Sequence, residues 1–226
     1  MILHQPARGQ GYRVNVDAVL LAAFAGQHRR AKRALDLGSG VGAVGLCLLY
    51  RDRAAHVVMV DRDPSVARMA TKNIHANGWR DRAEARVVDV TDVGTVPERA
   101  ADLVVCNPPY VAPGRGRLPT VGARARMGEL AGFIVAARRG LGARGRACFI
   151  YPATELLTLT AELQSAGLEP KRLRLVHARA GHAARVALVE AMPGKRGGLV
   201  VEPPLFEREG RSPSPALRAV LAARTS

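Results

Sequence analysis

The sequence predicts an α/β fold: a mostly parallel sheet with helices on both faces and one antiparallel edge strand. Three observations predict it. Short β-branched runs alternate five times with segments of helix length, the pattern of parallel strands joined by crossover helices. Successive runs end on a glycine turn, on an Asp or on an Asn, as strands do where an open sheet gathers its ligand groups. The last two runs, 171–177 and 185–192, have no helix between them and should form a hairpin, which turns one strand antiparallel to the rest. A chain of 226 residues suffices for one sizeable core, so one domain is expected: a lead and helix (1–30), a core (33–192) and a tail (193–226).

The elements follow in order. The lead from His4 to Arg13 is irregular, and Asn15 or Asp17 can then cap a helix through Leu20 and Phe24. A strand over 33–38 meets the Gly-rich turn Gly38-Ser39-Gly40-Val41-Gly42, followed by an apolar helix over 41–50. The second strand, 56–60, ends at Asp61. Asp63-Pro64 is a strong helix start, a capping side chain followed by proline at the first helical position. That helix should run to Ala76. The third strand, 85–88, ends at Asp89. The fourth, 102–106, stops at Asn107-Pro108-Pro109-Tyr110, because neither proline can donate a ladder hydrogen bond. Asn107 precedes a proline and is therefore biased to an extended backbone. After a loop rich in Gly, Pro and Arg come a helix over 127–139, a fifth strand over 145–151 and a helix over 154–166. A short helix over 215–223 should close the tail.

Composition narrows the function classes. Hydrophobic residues make up 48% of the chain, which excludes a disordered protein. No apolar run approaches the roughly 18 residues needed to cross a bilayer. The N-terminus lacks the charged start and apolar centre of a signal peptide, so a cytoplasmic protein without a membrane partner is expected. Cys47, Cys106 and Cys148 sit in apolar segments without metal-ligand spacing, and His177 and His182 have no ligand partners in sequence, so no metal is assigned. The net charge of +15 fits a polyanionic partner such as nucleic acid. Only four basic residues are Lys (Lys32, Lys72, Lys171, Lys195), and an Arg-rich coding bias accounts for the same charge. With 4% aromatic residues, extended base-stacking platforms are excluded. Monomer and homodimer both remain open.

Gly38 and Gly40 let a backbone turn approach a ligand without Cβ collisions. Asp61, about twenty residues on, is placed to accept both ribose hydroxyl hydrogens of an adenosine moiety. Asp89 is placed for the adenine end of the same ligand. Each Asp alone serves equally as a turn former; together on successive strand ends they read as a nucleotide site. No G-x-x-x-x-G-K-[ST] is present, which excludes a triphosphate cradle.

In these residues the chain resembles the class I S-adenosylmethionine-dependent methyltransferases. Asp36-Leu37-Gly38-Ser39-Gly40 looks like their first motif, Val58-Met59-Val60-Asp61 their ribose motif and Val87-Val88-Asp89 their adenine motif. Asn107-Pro108-Pro109-Tyr110 looks like the catalytic motif of those that methylate a planar amine. The resemblance implies a Rossmann-like sheet and S-adenosyl-L-methionine as cofactor. NAD-dependent dehydrogenases share the glycine turn but have no use for the Asn-Pro-Pro-Tyr motif. The lone pair of an exocyclic adenine amine is delocalised into its ring. The Asn107 side-chain oxygen and the Pro108 carbonyl can each accept one of its hydrogens, while Tyr110 stacks on the base. Positioning then carries much of the catalysis.

The lead Gln5-Pro6 through Gly11-Tyr12-Arg13 to Asp17-Ala18-Val19-Leu20 closely resembles the start of the bacterial tRNA(Val) adenine-N6 methyltransferase family. So do Met127-Gly128-Glu129-Leu130 and the tail with Glu202-Pro203-Pro204-Leu205. The resemblance implies a tRNA substrate, methylated on the adenine next to the anticodon. It also implies that Tyr12 and Asp17 close over the cofactor, so that the cofactor set is Tyr12, Asp17, Asp36, Gly38, Gly40, Asp61, Asp89 and Asn107. Three alternatives remain: N5-glutamine methylation of a protein such as a release factor, which the same motif serves, methylation of another RNA or DNA amine, and a non-catalytic RNA-binding protein on the same fold. The loop after the motif departs from the family by carrying Arg115, Arg117, Arg124 and Arg126. With Arg179, Lys195 and Arg196 these are the expected RNA-binding residues, grouped around one strand edge.

Overall fold

The computed structural model describes residues 1–5, 16–27, 29–92, 94–108, 123–194 and 196–222, with the backbone alone at 123–128. In chain order the elements are α1 (Val16–Ala25), β1 (Ala31–Leu37), α2 (Ala43–Tyr50), β2 (Ala54–Asp61), α3 (Pro64–Ala76), β3 (Ala83–Val87), β4 (Ala101–Cys106), α4 (Ala123–Gly140), β5 (Leu141–Pro152), α5 (Leu156–Ser165), β6 (Leu168–His177) and β7 (Ala184–Pro193). The tail adds the two-residue strands β8 (Val200–Val201), β9 (Leu205–Phe206), β10 (Arg208–Glu209) and β11 (Ser212–Pro213), and then α6 (Pro215–Ala222).

The main sheet has the order β3-β2-β1-β4-β5-β7-β6-β8, with β9 also paired to β6. Strands β1 to β5 are parallel, and β7 is antiparallel to both β5 and β6. The Rossmann-like architecture and its antiparallel strand are as expected, with one refinement. The antiparallel strand is β7, and it lies inside its hairpin: β6, with β8 and β9 beside it, is outermost.

Alternation along the strands fills two cores. Leu103 and Val105 of β4 point to the face covered by α1, α2, α3 and α6. Val104 and Cys106 point to the face covered by α4 and α5, with Phe133, Ile134, Leu159 and Leu163. Leu103, Val104 and Val105 are fully buried, each contributing about 1.5–3 kcal/mol relative to exposure. Helix α3 starts as expected, with the Asp63 side chain accepting from the Ser65 amide at 2.7 Å and Pro64 in the first turn. Helix α1 is tied down by Arg172 of β6, which lies 3.9 Å over the Phe24 ring and pairs with the buried Glu190 of β7 at 3.0 Å. Among the described residues no helix is long and apolar enough to cross a membrane.

Candidate active site

Strand register gathers the candidate residues. Leu37 pairs with Val60 on one side and with Cys106 on the other, and Asp61 pairs with Val87. One residue further on, Gly38, Asp61 and Asn107 therefore stand level at the ends of β1, β2 and β4, with β1 in the middle. Between β1 and β4 the strand order reverses, which is where open α/β sheets bind ligands. At about 4.8 Å per strand, Asp61 and Asn107 flank the glycine turn about 10 Å apart.

Gly38 (φ +64°) and Gly40 (φ +54°) adopt the left-handed backbone that favours glycine. A Cβ at Gly38 would lie 2.9 Å from the Phe133 ring, whereas one at Gly40 would meet nothing within 4 Å among the described residues. Gly40 therefore faces open space at the sheet edge.

Each carboxylate is held by backbone. Asp61 Oδ2 accepts from the Gly40 amide at 2.8 Å and Oδ1 from the Asp63 amide at 3.0 Å, so it fixes the turns after both β1 and β2. Asp36, fully buried, accepts from the Gly45 amide of α2 at 2.8 Å. Burial pushes its pKa up to about 7, opposed by the Gly45 hydrogen bond and reinforced by nearby Asp61. Asp89 lies two residues beyond β3. The Thr91 hydroxyl (2.7 Å) and amide (2.9 Å) both donate to it and hold its pKa below the usual carboxylate range. This edge gathers three acidic side chains, an environment suited to a cationic ligand.

Asn107 follows β4, whose Cys106 is fully buried. Its side-chain oxygen is buried yet has no hydrogen-bond partner among the described residues. An unsatisfied buried acceptor costs about 1–3 kcal/mol, so this oxygen is a site where a bound donor would be stabilised.

The structure brings Asp36, Gly38, Gly40, Asp61, Asp89, Asn107 and Pro108 to this one edge. Asp17 is at the start of α1, fully buried, with its Oδ1 accepting from Arg185 of β7 at 2.6 Å. Arg185 also donates to Glu207 at 2.6 Å, and these two carboxylates hold its pKa above the ordinary value despite burial. Arg179 lies exposed in the β6–β7 turn, at the same edge. Arg196 does not join it. Pro193 pairs with Leu168 at the start of β6, and the Gly197 amide donates to Glu169, which places Arg196 at the opposite edge. The sequence grouping of Arg179 with Arg196 fails because β7 carries the chain across the sheet between them. Tyr12, Pro109, Tyr110, Arg115, Arg117 and Lys195 lie outside the described residues, as do the side chains of Arg124 and Arg126. Sequence reading missed Gly45 and Thr91, whose donated hydrogen bonds set the two carboxylates, and the Asp17–Arg185–Glu207 network. Only the first had a signal: a small residue one helical turn inside the glycine-led helix.

Comparison with known proteins gives the family. The family model of the methyltransferase small domain matches residues 15–145. The tRNA1(Val) (adenine(37)-N6)-methyltransferase of Actinobacillus succinogenes is 30% identical over 203 residues, covering 88% of this chain and 84% of that protein. The enzyme of the same name from Haemophilus influenzae is 34% identical over 103 residues, 45% of this chain and 44% of that protein. Among solved structures, a predicted O-methyltransferase from Agrobacterium tumefaciens aligns with a TM-score of 0.71 at 26% identity, over 92% of this chain and 96% of that one.

Proposed function

The chain belongs to the methyltransferase small domain family and is an S-adenosylmethionine-dependent methyltransferase, and from that premise we propose that its acceptor is the N6 amine of an adenine in tRNA. The observation that carries the proposal is the buried Asn107 oxygen, without a partner among the described residues and level with the glycine turn and Asp61. The two curated relatives described above are tRNA adenine-N6 enzymes by name, which supports the adenine next to the anticodon as target.

The residues present fit the cofactor. Gly40 offers open space where a ligand must approach, and Asp61 is a carboxylate already fixed by two amides. Bound there, S-adenosylmethionine supplies an electrophilic methyl group. Asp61 accepts from the ribose hydroxyls, Asp89 serves the adenine end, and Asp36 steadies the turn from beneath by holding the Gly45 amide. On the acceptor side, the Asn107 oxygen and the Pro108 carbonyl each accept one N6–H of the target base. That fixes the nitrogen and turns its lone pair out of the ring plane. Tyr110 stacks on the base. No strong general base is needed, since the methylated nitrogen sheds its extra proton readily to water. A base within a folded RNA must first be splayed out into such a pocket.

Tyr12 and Asp17 cover the cofactor in this reading. Its support is that both ends of the lead are pinned. The His4 amide donates to Asn73 Oδ1 at 2.6 Å, and the same Asn73 donates to the Val41 carbonyl of the glycine turn at 3.0 Å. At the other end, Arg185 holds Asp17. The tRNA substrate places the enzyme in the cytoplasm.

The test is incubation with labelled cofactor and unmodified tRNA, followed by nucleoside analysis. N6-methyladenosine is the expected product. Label in a release-factor glutamine and none in RNA would assign the alternative acceptor.

A further inference from the structure

A second concavity lies at the same edge of the sheet. It is a cleft of about 520 Å³ between the β6–β7 turn and the C-terminal tail, within the usual range of about 300–1,000 Å³ for ligand sites. Arg179 lines it from the turn, and Phe206, Arg208 and Glu209 from the tail, with Pro204 and Pro215 completing apolar walls.

The cleft is built into the fold. Residue Phe206 pairs with His177 in the main sheet, and the two rings lie 5.4 Å apart. The Glu207 amide donates to the His177 carbonyl at 2.8 Å and the Arg208 amide to the Ala178 carbonyl at 3.1 Å. Glu207 also takes Arg185, which holds Asp17, so the tail, β7 and the start of α1 are locked together.

Its charges are left over. Arg179 makes no ion pair among the described residues, and the Arg208 guanidinium donates only to the Arg211 carbonyl. Arg211 and Arg218 lie exposed close by in the tail. Glu207, between Phe206 and Arg208 in sequence, is taken up by Arg185. Two arginines over apolar walls suit a nucleotide: a phosphate takes the arginines, and a base lies on Phe206. Glu209, the one acid in the lining among the described residues, is an acceptor for a ribose 2′-hydroxyl, the group that separates RNA from DNA.

We propose that this cleft is an accessory nucleotide subsite, which holds a neighbouring nucleotide of the same RNA strand whose adenine is methylated at Asn107. The proposal rests on the tRNA reading above. Strands β4 and β6 are three positions apart in the sheet, or about 14 Å at 4.8 Å per strand, a distance that a few nucleotides cover. The subsite anchors the strand while the target base is turned out.

The test is the double variant Arg179→Ala/Arg208→Ala, with binding of unmodified tRNA measured across a salt series. Two lost phosphate contacts should reduce the slope of log K against log salt by about 1.4 and weaken binding about tenfold near 0.15 M. Cofactor affinity and melting temperature should stay at wild-type values. The control is Lys32→Ala/Arg144→Ala, which removes equal charge from the opposite edge and should leave the slope unchanged. A wild-type slope in the cleft variant, or an equal loss in both variants, overturns the subsite while leaving tRNA methylation standing. Wild-type protein that neither binds nor methylates tRNA overturns the parent reading and the subsite with it.

Discussion

Replacing Asn107 with Ala separates a residue kept for function from one kept for structure. In the free protein its side-chain oxygen is buried without a partner among the described residues. Such an acceptor costs about 1–3 kcal/mol, and truncation removes that cost along with the amide's modest packing. Stability should therefore stay level or rise by about 1 kcal/mol, equivalent to a melting temperature about 2–4 °C higher in a chain of this size. Activity should respond oppositely. The loss of one group that stabilises only the reacting geometry typically costs about 10²–10³ in kcat. Cofactor affinity should change little, because Asp61 and Asp89, the proposed ribose and adenine residues, lie on the other side of β1. The assays are thermal denaturation, cofactor calorimetry and methyl transfer to tRNA. A melting temperature lowered by more than about 5 °C would mark Asn107 as structural, and equal losses of cofactor affinity and kcat would contradict its placement on the acceptor side.

Three other predictions follow from the same edge. The Asp36 carboxyl rises from 3.8 to about 7 on folding, so the folded state binds the extra proton. The associated stability is present below about pH 4 and is lost as pH rises to 7, on the order of 4 kcal/mol at about 1.4 kcal/mol per pKa unit. Asp36→Asn, which keeps an acceptor for the Gly45 amide, should flatten that part of the stability curve in denaturant titrations; parallel curves for the two proteins would remove Asp36 as the cause. Asp61→Asn should weaken adenosine and the full cofactor alike by about 10–100-fold in calorimetry, since charged hydrogen bonds of about 1.5–3 kcal/mol are lost; an effect on the full cofactor alone would move Asp61 away from the ribose. Gly40→Ala, at φ +54° beside open space, should cost about 1–2 kcal/mol of stability through backbone strain alone, with a disproportionate loss of cofactor affinity. Undiminished affinity would show that nothing approaches the turn there.

Local chemistry was legible in the sequence and long-range assembly was not. Asp63-Pro64 announced its helix because capping acts within three residues. Gly38, Asp61, Asp89 and Asn107 were legible because each sits at a strand end, and strand ends show as breaks in apolar runs. The start of β5 at Leu141 was hidden: Gly142 and Gly145 read as turn residues, yet Leu141 already pairs with Ala101 across a register shift. Burial of Asp36 and its raised pKa depend on α2 closing over β1, which no local pattern encodes. Arg185 joins Asp17, 168 residues away, to Glu207, and in sequence it looked like one more surface arginine. The cleft around Phe206 likewise joins a hairpin turn to a tail whose short strands carry no periodicity. Arg196 was misplaced because charge clusters in sequence do not show which edge a hairpin returns to.

The most direct test of the central claim is the fate of the labelled methyl group. Purified protein is incubated with labelled S-adenosylmethionine and unmodified tRNA, and the RNA is digested to nucleosides and mapped. Label in N6-methyladenosine beside the anticodon, lost with Asn107→Ala, is the predicted result. Label in another nucleoside, or in protein glutamine with none in RNA, would contradict it.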